Sequence, residues 1–402
     1  MVKQENSDEA EAVTHPLLQD LKSLEGQNSS SSEKGASFSG AVFNISTTMI
    51  GAGIMSIPAT IKVLGIVPGF ILILLVALVV EVTVEFLLRG CSMWKSFWRN
   101  LALGYFTRMV WLPLVEFSCL CASLHCTLCD ASISLVTPSR FTRHTSAVSI
   151  LLAVVFVVIC SAMAIYALCK GKTQKPRLFP DFAHQVSVFD LFTTIPILVT
   201  GFGFHVNIHP IRAELGKPSD MRSAARISLV ISIIIYFSIG FFGYLLFGDS
   251  VMDDILVNFD QSSDSTIGQI INDIVRLSYA VHLLFVFPIM NFSLRANIDE
   301  LLFPNKPILA QSTSRFLSLT FVLLSFTYIV AIAIPSIWYF FQFMGSTTVV
   351  CLSFIFPAAL ILRDGHGIST RRDKIIAILV IILAVVTSSI AMSTTLYNSA
   401  QG

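Results

Sequence analysis

The 402-residue chain is 54% hydrophobic and 13% charged, with a formal net charge of +1; a soluble domain carries about 25% charged residues. The apolar residues fall in runs of about 20 with the charges between them, the length a helix needs to cross a bilayer. This pattern excludes an ordinary soluble domain and leaves no basic face for nucleic acid.

Residues 1–37 are polar, include the low-complexity run GQNSSSSEKGAS and cannot bury apolar surface. They read as a disordered cytosolic tail with no signal peptide. Leu17–Leu18 after Pro16 are either a dileucine-type sorting signal or two leucines in that tail. Apolar length then places nine spans in what reads as one transmembrane domain, 38–402: 38–64, 67–88, 146–168, 188–213, 224–247, 268–291, 314–334, 337–362 and 374–397. Residues 109–136 are a compromised tenth, because Glu116, His125 and Asp130 would lie in lipid. Cys91, Cys119, Cys121, Cys126 and Cys129 cluster in the same region. Cys119-x-Cys121 with His125, Cys126 and Cys129 suggest a zinc site, but no second C-x-x-C pair follows, so composition without chemistry is the expectation and no metal is assigned. Cys160, Cys169 and Cys351 read as small apolar residues, and no secreted disulfide framework is present.

Loop charges set the orientation. The loop with Arg212, Lys217, Arg222 and Arg226 is basic, as are those with Arg295, Lys306 and Arg315 and with Arg363, Arg371, Arg372 and Lys374. The loop 248–266 holds Asp249, Asp253, Asp254, Asp260 and Asp264 and no Lys or Arg. These alternate correctly with the basic loops in the cytosol. The loop 169–186, with Lys170, Lys172, Lys175 and Arg177, falls outside against its charge. Parity then requires 90–145 to cross an even number of times, yet 109–136 is too short for two spans of about 20. The segment is expected not to cross the bilayer cleanly.

Two spans carry helix breakers at mid-depth. One contains Ile50-Gly51-Ala52-Gly53-Ile54-Met55-Ser56-Ile57-Pro58, the other Thr200-Gly201-Phe202-Gly203-Phe204-His205 followed by His209-Pro210. A matched pair of interrupted spans points to a transporter binding site. Unwinding frees backbone groups that are tolerated only inside protein or beside water. Freed N–H groups at a half-helix N-terminus suit a carboxylate, and freed carbonyls suit an ammonium or a cation, so a zwitterion matches. The same glycines would also serve close helix packing.

The stretch 40–90, GAVFNISTTMIGAGIMSIPATIKVLGIVPGFILILLVALVVEVTVEFLLRG, resembles the first two helices of the amino acid/auxin permease family. The nearest branch is that of the plant vacuolar amino-acid transporters, relatives of the animal sodium-coupled neutral amino acid transporters. DLFTTIPILVTGFGFHVNIHPIRAEL resembles the family's sixth helix. The resemblance covers about 38–90 and 141–400. It implies an all-α polytopic membrane protein of the LeuT type: two inverted five-helix repeats, here 38–168 and 188–362, plus a last helix, 374–397. It further implies an amino-acid symporter, not an enzyme, working as a monomer in a vacuolar membrane, with the plasma membrane as the alternative. By resemblance, the amino acid contacts Thr47, Ile50, Gly51, Ala52, Gly53, Ile54, Met55, Thr200, Gly201, Phe202, Phe204 and His205.

Residues 91–140 do not resemble the family, and repeat one is shorter than repeat two by about two spans of ~20 residues. Helices 3 and 4 are therefore expected to be missing or altered. A membrane amino-acid sensor and an inactive truncated isoform remain open beside the carrier. Sodium-using relatives carry Asn at the place of Thr47 and a hydroxyl on the eighth helix. The matching stretch here, His282-Leu283-Leu284-Phe285-Val286-Phe287-Pro288, has no hydroxyl. A proton is thus the expected coupling ion, with Thr47 and His282 as candidates, and no cofactor is implied.

His282 either carries that proton or hydrogen-bonds a neighbouring helix, and His205 and His209 either shape the site or cap freed carbonyls. Glu81 and Glu85, four apart on one face, are expected to pair or reach toward water, and Asp273 with Arg276 to pair together. The sequons at Asn28, Asn44 and Asn291 are expected to stay unglycosylated. No H-E-x-x-H, paired Asp or Ser/His pair supports an enzyme, and no phosphate loop supports ATP-driven transport.

Overall fold

A computed structural model of the chain describes residues 37–401, apart from 91–138 and the short stretches 174, 183–186, 262–265, 304–308, 310–311, 334–335, 365–366 and 368. The tail leucines, the 109–136 segment, the Asn28 sequon and the Cys/His cluster lie outside the described residues. Every element named below is helical, as lipid demands, because it offers no partner for a free backbone group.

The first span is α1 (Phe38–Met49), a 3-10 turn (Ala52–Ser56) and α2 (Ile57–Leu64). Then follow α3 (Ile66–Arg89), α4 (Ser139–Cys169), α5 (Val188–Gly201), a 3-10 turn (His205–Asn207) and α6 (Ile208–Glu214). After a 3-10 turn (Pro218–Asp220) come α7 (Met221–Phe247), a further turn (Gly248–Ser250), α8 (Ile255–Gln261), α9 (Thr266–Leu302) and α10 (Thr313–Ala333). The last are α11 (Ile337–Met344), two π-helical turns (Gly345–Val349 and Cys351–Ile355), α12 (Phe356–Leu362) and α13 (Arg371–Gln401).

Each of the nine spans expected from apolar length has its helix. Seven are long and apolar enough to cross a membrane, and the bent pair α1 and α2 makes an eighth. The apolar part of α10, Thr313–Ile329, is shorter. In α3 the buried face (Ile73, Val76, Ala77, Val80) and the exposed face (Ile71, Leu74, Leu75, Leu78) are both apolar. A helix hydrophobic all round belongs in lipid. α9 lies along α4, α7 touches α1 to α4, and α13 covers α5 and α12.

Inner and outer here follow the loop charges. At the inner end Glu85 pairs with Arg89 and, at 3.4 Å, with Arg222, while Arg226 reaches Glu81 at 2.7 Å and Arg89 reaches Asp373 at 3.2 Å. Glu81 and Glu85 thus pair, with arginines of α3 and α7. Arg276 sits 2.7 Å from Asp260 and 4.0 Å from Asp273, so its nearer partner is not the one sequence spacing suggested.

α3 ends near Leu360 of α12, and α4 has its first described contacts beside Asn44 of α1. At the outer end Arg177 pairs with Asp249, its amide lies 3.4 Å from the Tyr244 hydroxyl, and its carbonyl accepts from Ile66. This counter-charge offsets the basic loop that parity places outside. The turn between α2 and α3 needs Gly65, whose φ is +78° and where a Cβ would lie 2.8 Å from the Phe179 backbone.

Candidate functional site: the two helix breaks

α1 stops at Met49 because Gly51 is extended (φ −108°, ψ −152°) and cannot continue the ladder. The chain resumes through a 3-10 turn opened by Ala52, and Pro58 in the first turn of α2 restarts the helix where its missing N–H costs nothing. The two halves are bent by 51°. Three successive carbonyls are capped by side chains from other helices. Met49 O accepts the Tyr236 hydroxyl at 2.6 Å, and Gly51 O accepts the Tyr279 hydroxyl at 2.6 Å and the Ile54 N–H at 3.2 Å. Ile50 O faces His282 Nε2 at 2.7 Å. Tyr236 comes from α7, and Tyr279 and His282 from adjacent turns of α9.

α5 ends at Gly201, and the turn that follows closes on itself. Gly203 N–H reaches Thr200 O at 3.1 Å, Phe204 N–H reaches Phe202 O at 3.0 Å, and Asn207 N–H reaches Phe204 O at 3.0 Å. Thr200 Oγ donates to Pro196 O at 2.8 Å within its own helix. His205 Nε2 lies 2.9 Å from the Thr83 hydroxyl of α3, and Asn207 donates to Thr48 of α1 at 3.2 Å.

The breaks meet. A Cβ on Gly53 would stand 3.1 Å from Gly201 Cα, so the glycines do serve close packing, at the breaks themselves. The Tyr236 hydroxyl, already on Met49 O, is also 2.9 Å from Gly201 O. One O–H proton thus faces two carbonyls, one from each break. Ile50, Ile54, Met55, Phe202, Phe204 and His205 are fully or almost fully buried here, and Phe202 stacks edge-on to Tyr236.

The two coupling candidates converge on α4. Thr47 Oγ donates to Ser146 O at 3.2 Å, and Ser146 Oγ donates to Asn44 at 2.7 Å. His282 Nδ1 lies 2.7 Å from Ser149 O and 2.9 Å from Ser149 Oγ. Both ring nitrogens of a fully buried imidazole therefore point at carbonyl oxygens.

Sequence reasoning did not single out Tyr236, Tyr279, Ser149 or the π-helical turns. A buried tyrosine hydroxyl needs a partner, which was the available signal. Gly345, opening the first π turn, presses on the Pro196 carbonyl so closely that a Cβ would overlap it. Such π turns often mark functional sites, and Gly345-Ser346-Thr347-Thr348 inside an apolar span was its trace.

The chain matches the family described as transmembrane amino acid transporter protein over residues 34–96 and 129–397. It belongs to that family. Among relatives, it is 46% identical to the amino acid transporter AVT6C of Arabidopsis thaliana over 418 positions, covering 92% of this chain and 96% of the relative. It is 45% identical to AVT6D of the same plant over 434 positions, covering 96% and 98%. The human sodium-coupled neutral amino acid transporter 4 is 32% identical over 171 positions, 42% of this chain and 30% of that one.

An alignment of 434 positions exceeds the chain's 402 residues. This family member therefore lacks stretches its relative has, amounting to about two spans at ~20 residues each. The family match is interrupted over 97–128, a narrower interval than the 91–140 read from the sequence.

Proposed function

We propose that this family member is a proton-coupled amino-acid symporter of the LeuT type. Its inverted repeats are 38–168 and 188–362, and it binds the zwitterion at the two breaks, in a vacuolar-type membrane with an acidic lumen. Thr47, Ile50 to Met55, Thr200 to Phe202, Phe204 and His205 form the substrate surface, and His282 holds the proton.

The observation that carries this reading is the setting of His282. A neutral imidazole has one N–H donor, yet two carbonyl oxygens lie 2.7 Å from its two nitrogens. A second proton supplies the second donor. Without it, the Ser149 hydroxyl at 2.9 Å turns to donate to Nδ1, and Ser149 O keeps only the N–H of its own helix. Charging His282 therefore adds an N–H donor toward α4 to the tie that already holds the Ile50 carbonyl, the hinge of the first break. Discharging it leaves the tie through the Ser149 hydroxyl.

The test is uptake of labelled neutral amino acids into proteoliposomes under an imposed pH gradient. Accumulation should require the gradient, collapse with a protonophore and ignore sodium. His282→Gln should keep exchange of amino acid for amino acid while losing gradient-driven accumulation. Sodium dependence, or accumulation by His282→Gln equal to wild type, would overturn the reading.

A second reading, binding without transport, is favoured by the stretches that AVT6D has and this chain lacks. Binding with no uptake under any gradient would select it.

A further inference from the structure

A cavity of about 240 Å³ opens on the outer side of the first break, among α2, α5, the 251–254 loop, α11 and the end of α13. It is smaller than the ~300–1,000 Å³ typical of drug-sized sites, so its occupant is small. Its lining carries both signs of charge. Lys62, in the last turn of α2, gives one N–H to Val251 O at 3.0 Å, and an ammonium has three. Asp190 uses one carboxylate oxygen to cap α5 through the Ser187 N–H at 2.9 Å. Asp253 lends its main-chain carbonyl to Ser56 at 2.9 Å, and its carboxylate takes no hydrogen bond among the described residues.

Among the described residues no ion pair within 4 Å joins Lys62 to either aspartate. The Lys62 charge reaches Asp253 electrostatically but across more than 4 Å, a separation that leaves room for a ligand carrying both signs. At the floor Gln342 is almost wholly buried, held by Thr193 O at 3.4 Å and the Thr395 hydroxyl at 3.0 Å. Trp338 and Tyr339 supply the apolar wall.

We infer that this hollow is a second site for zwitterionic α-amino acids, occupied outward of the helix breaks. The α-carboxylate rests on Lys62, the α-ammonium faces Asp253 with Asp190 beside it, and an uncharged side chain lies against Trp338 and Tyr339. The site rests on the carrier reading above, as a stage on the same path. It does not require transport to be detected. The loop that carries Asp253 is tied to the first break through Ser56, so an occupant touches the segment that hinges.

The test uses the full chain in nanodiscs with Asn398→Cys, a lining residue assigned no contact with the amino acid. The introduced thiol is titrated with a charged methanethiosulfonate reagent, and the parent chain supplies the background from native cysteines. Each of the twenty amino acids is added in turn, with propionate and ethylamine as probes of one charge only. Those amino acids that the parent chain takes up should slow labelling about tenfold at saturation, and the single-charge probes should not. Adding Lys62→Gln should raise the concentration needed for half protection about tenfold, the weight of one charge-assisted hydrogen bond. Lys62→Arg should restore it, which also controls for folding.

Uptake of an amino acid that leaves labelling unchanged, or protection insensitive to Lys62→Gln, sinks the outer site and spares the carrier. Protection without uptake supports the outer site and sinks the carrier. Neither uptake nor protection sinks both.

Discussion

At the first break, Met49, Ile50 and Gly51 hand their carbonyls to Tyr236, His282 and Tyr279, side chains from two other helices. At the second break, Gly203 and Phe204 return their N–H groups to carbonyls three and two residues back in the chain, Thr200 bonds chiefly within its own helix, and the one carbonyl given to a distant donor is Gly201 O, which shares the Tyr236 hydroxyl. The first bends the chain by 51°, whereas α5 and α6 pass as one continuous span. An interruption held by distant donors can change when those donors change. One whose backbone groups are answered mostly from within the turn depends less on such donors. The contrast assigns motion to the first break and support to the second.

The largest effect should follow His282→Leu, which strips the donor from Ile50 O and leaves the Ser149 hydroxyl without its ring partner. A buried polar group left bare costs about 1–3 kcal/mol, so the thermal midpoint of the purified chain should fall furthest of all variants named here. A midpoint equal to wild type would mean that the first break does not need its distant caps.

Gly201→Ala comes next. Its Cβ would lie 3.0 Å from the Tyr236 hydroxyl and 3.3 Å from the ring, an overpacking worth about 1–3 kcal/mol. The same unfolding assay reads it.

Tyr236→Phe should cost about 1–2 kcal/mol and Tyr279→Phe less, because Gly51 O keeps the Ile54 N–H. Reversal of that order would show that the tie between the breaks contributes nothing. Thr200→Val should cost under about 0.5 kcal/mol, since its hydroxyl back-bonds its own helix at 2.8 Å and reaches Phe341 O of α11 only at 3.5 Å. A loss as large as that of Tyr236→Phe would erase the distinction between the breaks.

A separate effect concerns pH. Burial pushes the Asp254 carboxyl in the outer loop up to about 6. The Leu256 amide opposes this and neighbouring Asp253 adds to it. Its folded value lies above the unfolded one, so the native state binds its proton more tightly. That contribution to stability is full below pH 3.8 and disappears as pH rises through about 6. Asp254→Asn should flatten thermal stability across this window. An unchanged slope would detach the loop from the acid response.

The nine spans were legible because lipid imposes one rule of length and apolarity. Both breaks were legible because Gly51, Gly53, Gly201 and Gly203 stand where a continuous helix would not choose them. Unread were the caps: Tyr236 and Tyr279 lie 187 and 228 positions from the carbonyls they serve at Met49 and Gly51, and no local period links them. His282 was visible as an ionisable group in an apolar run, but the pair of carbonyls that gives it meaning arises only from three helices packed together.

The Arg177–Asp249 pair sets an order of events at the ribosome. On the orientation that the loop charges propose, Lys170, Lys172, Lys175 and Arg177 pass through the translocon against the usual charge bias, and Asp249 is synthesised 72 positions after Arg177. Until α7 has been threaded, the early half of the protein holds its topology without the counter-ion that secures it. A nascent chain arrested before Asp249 should therefore present a mixture of orientations, and one arrested after it a single orientation.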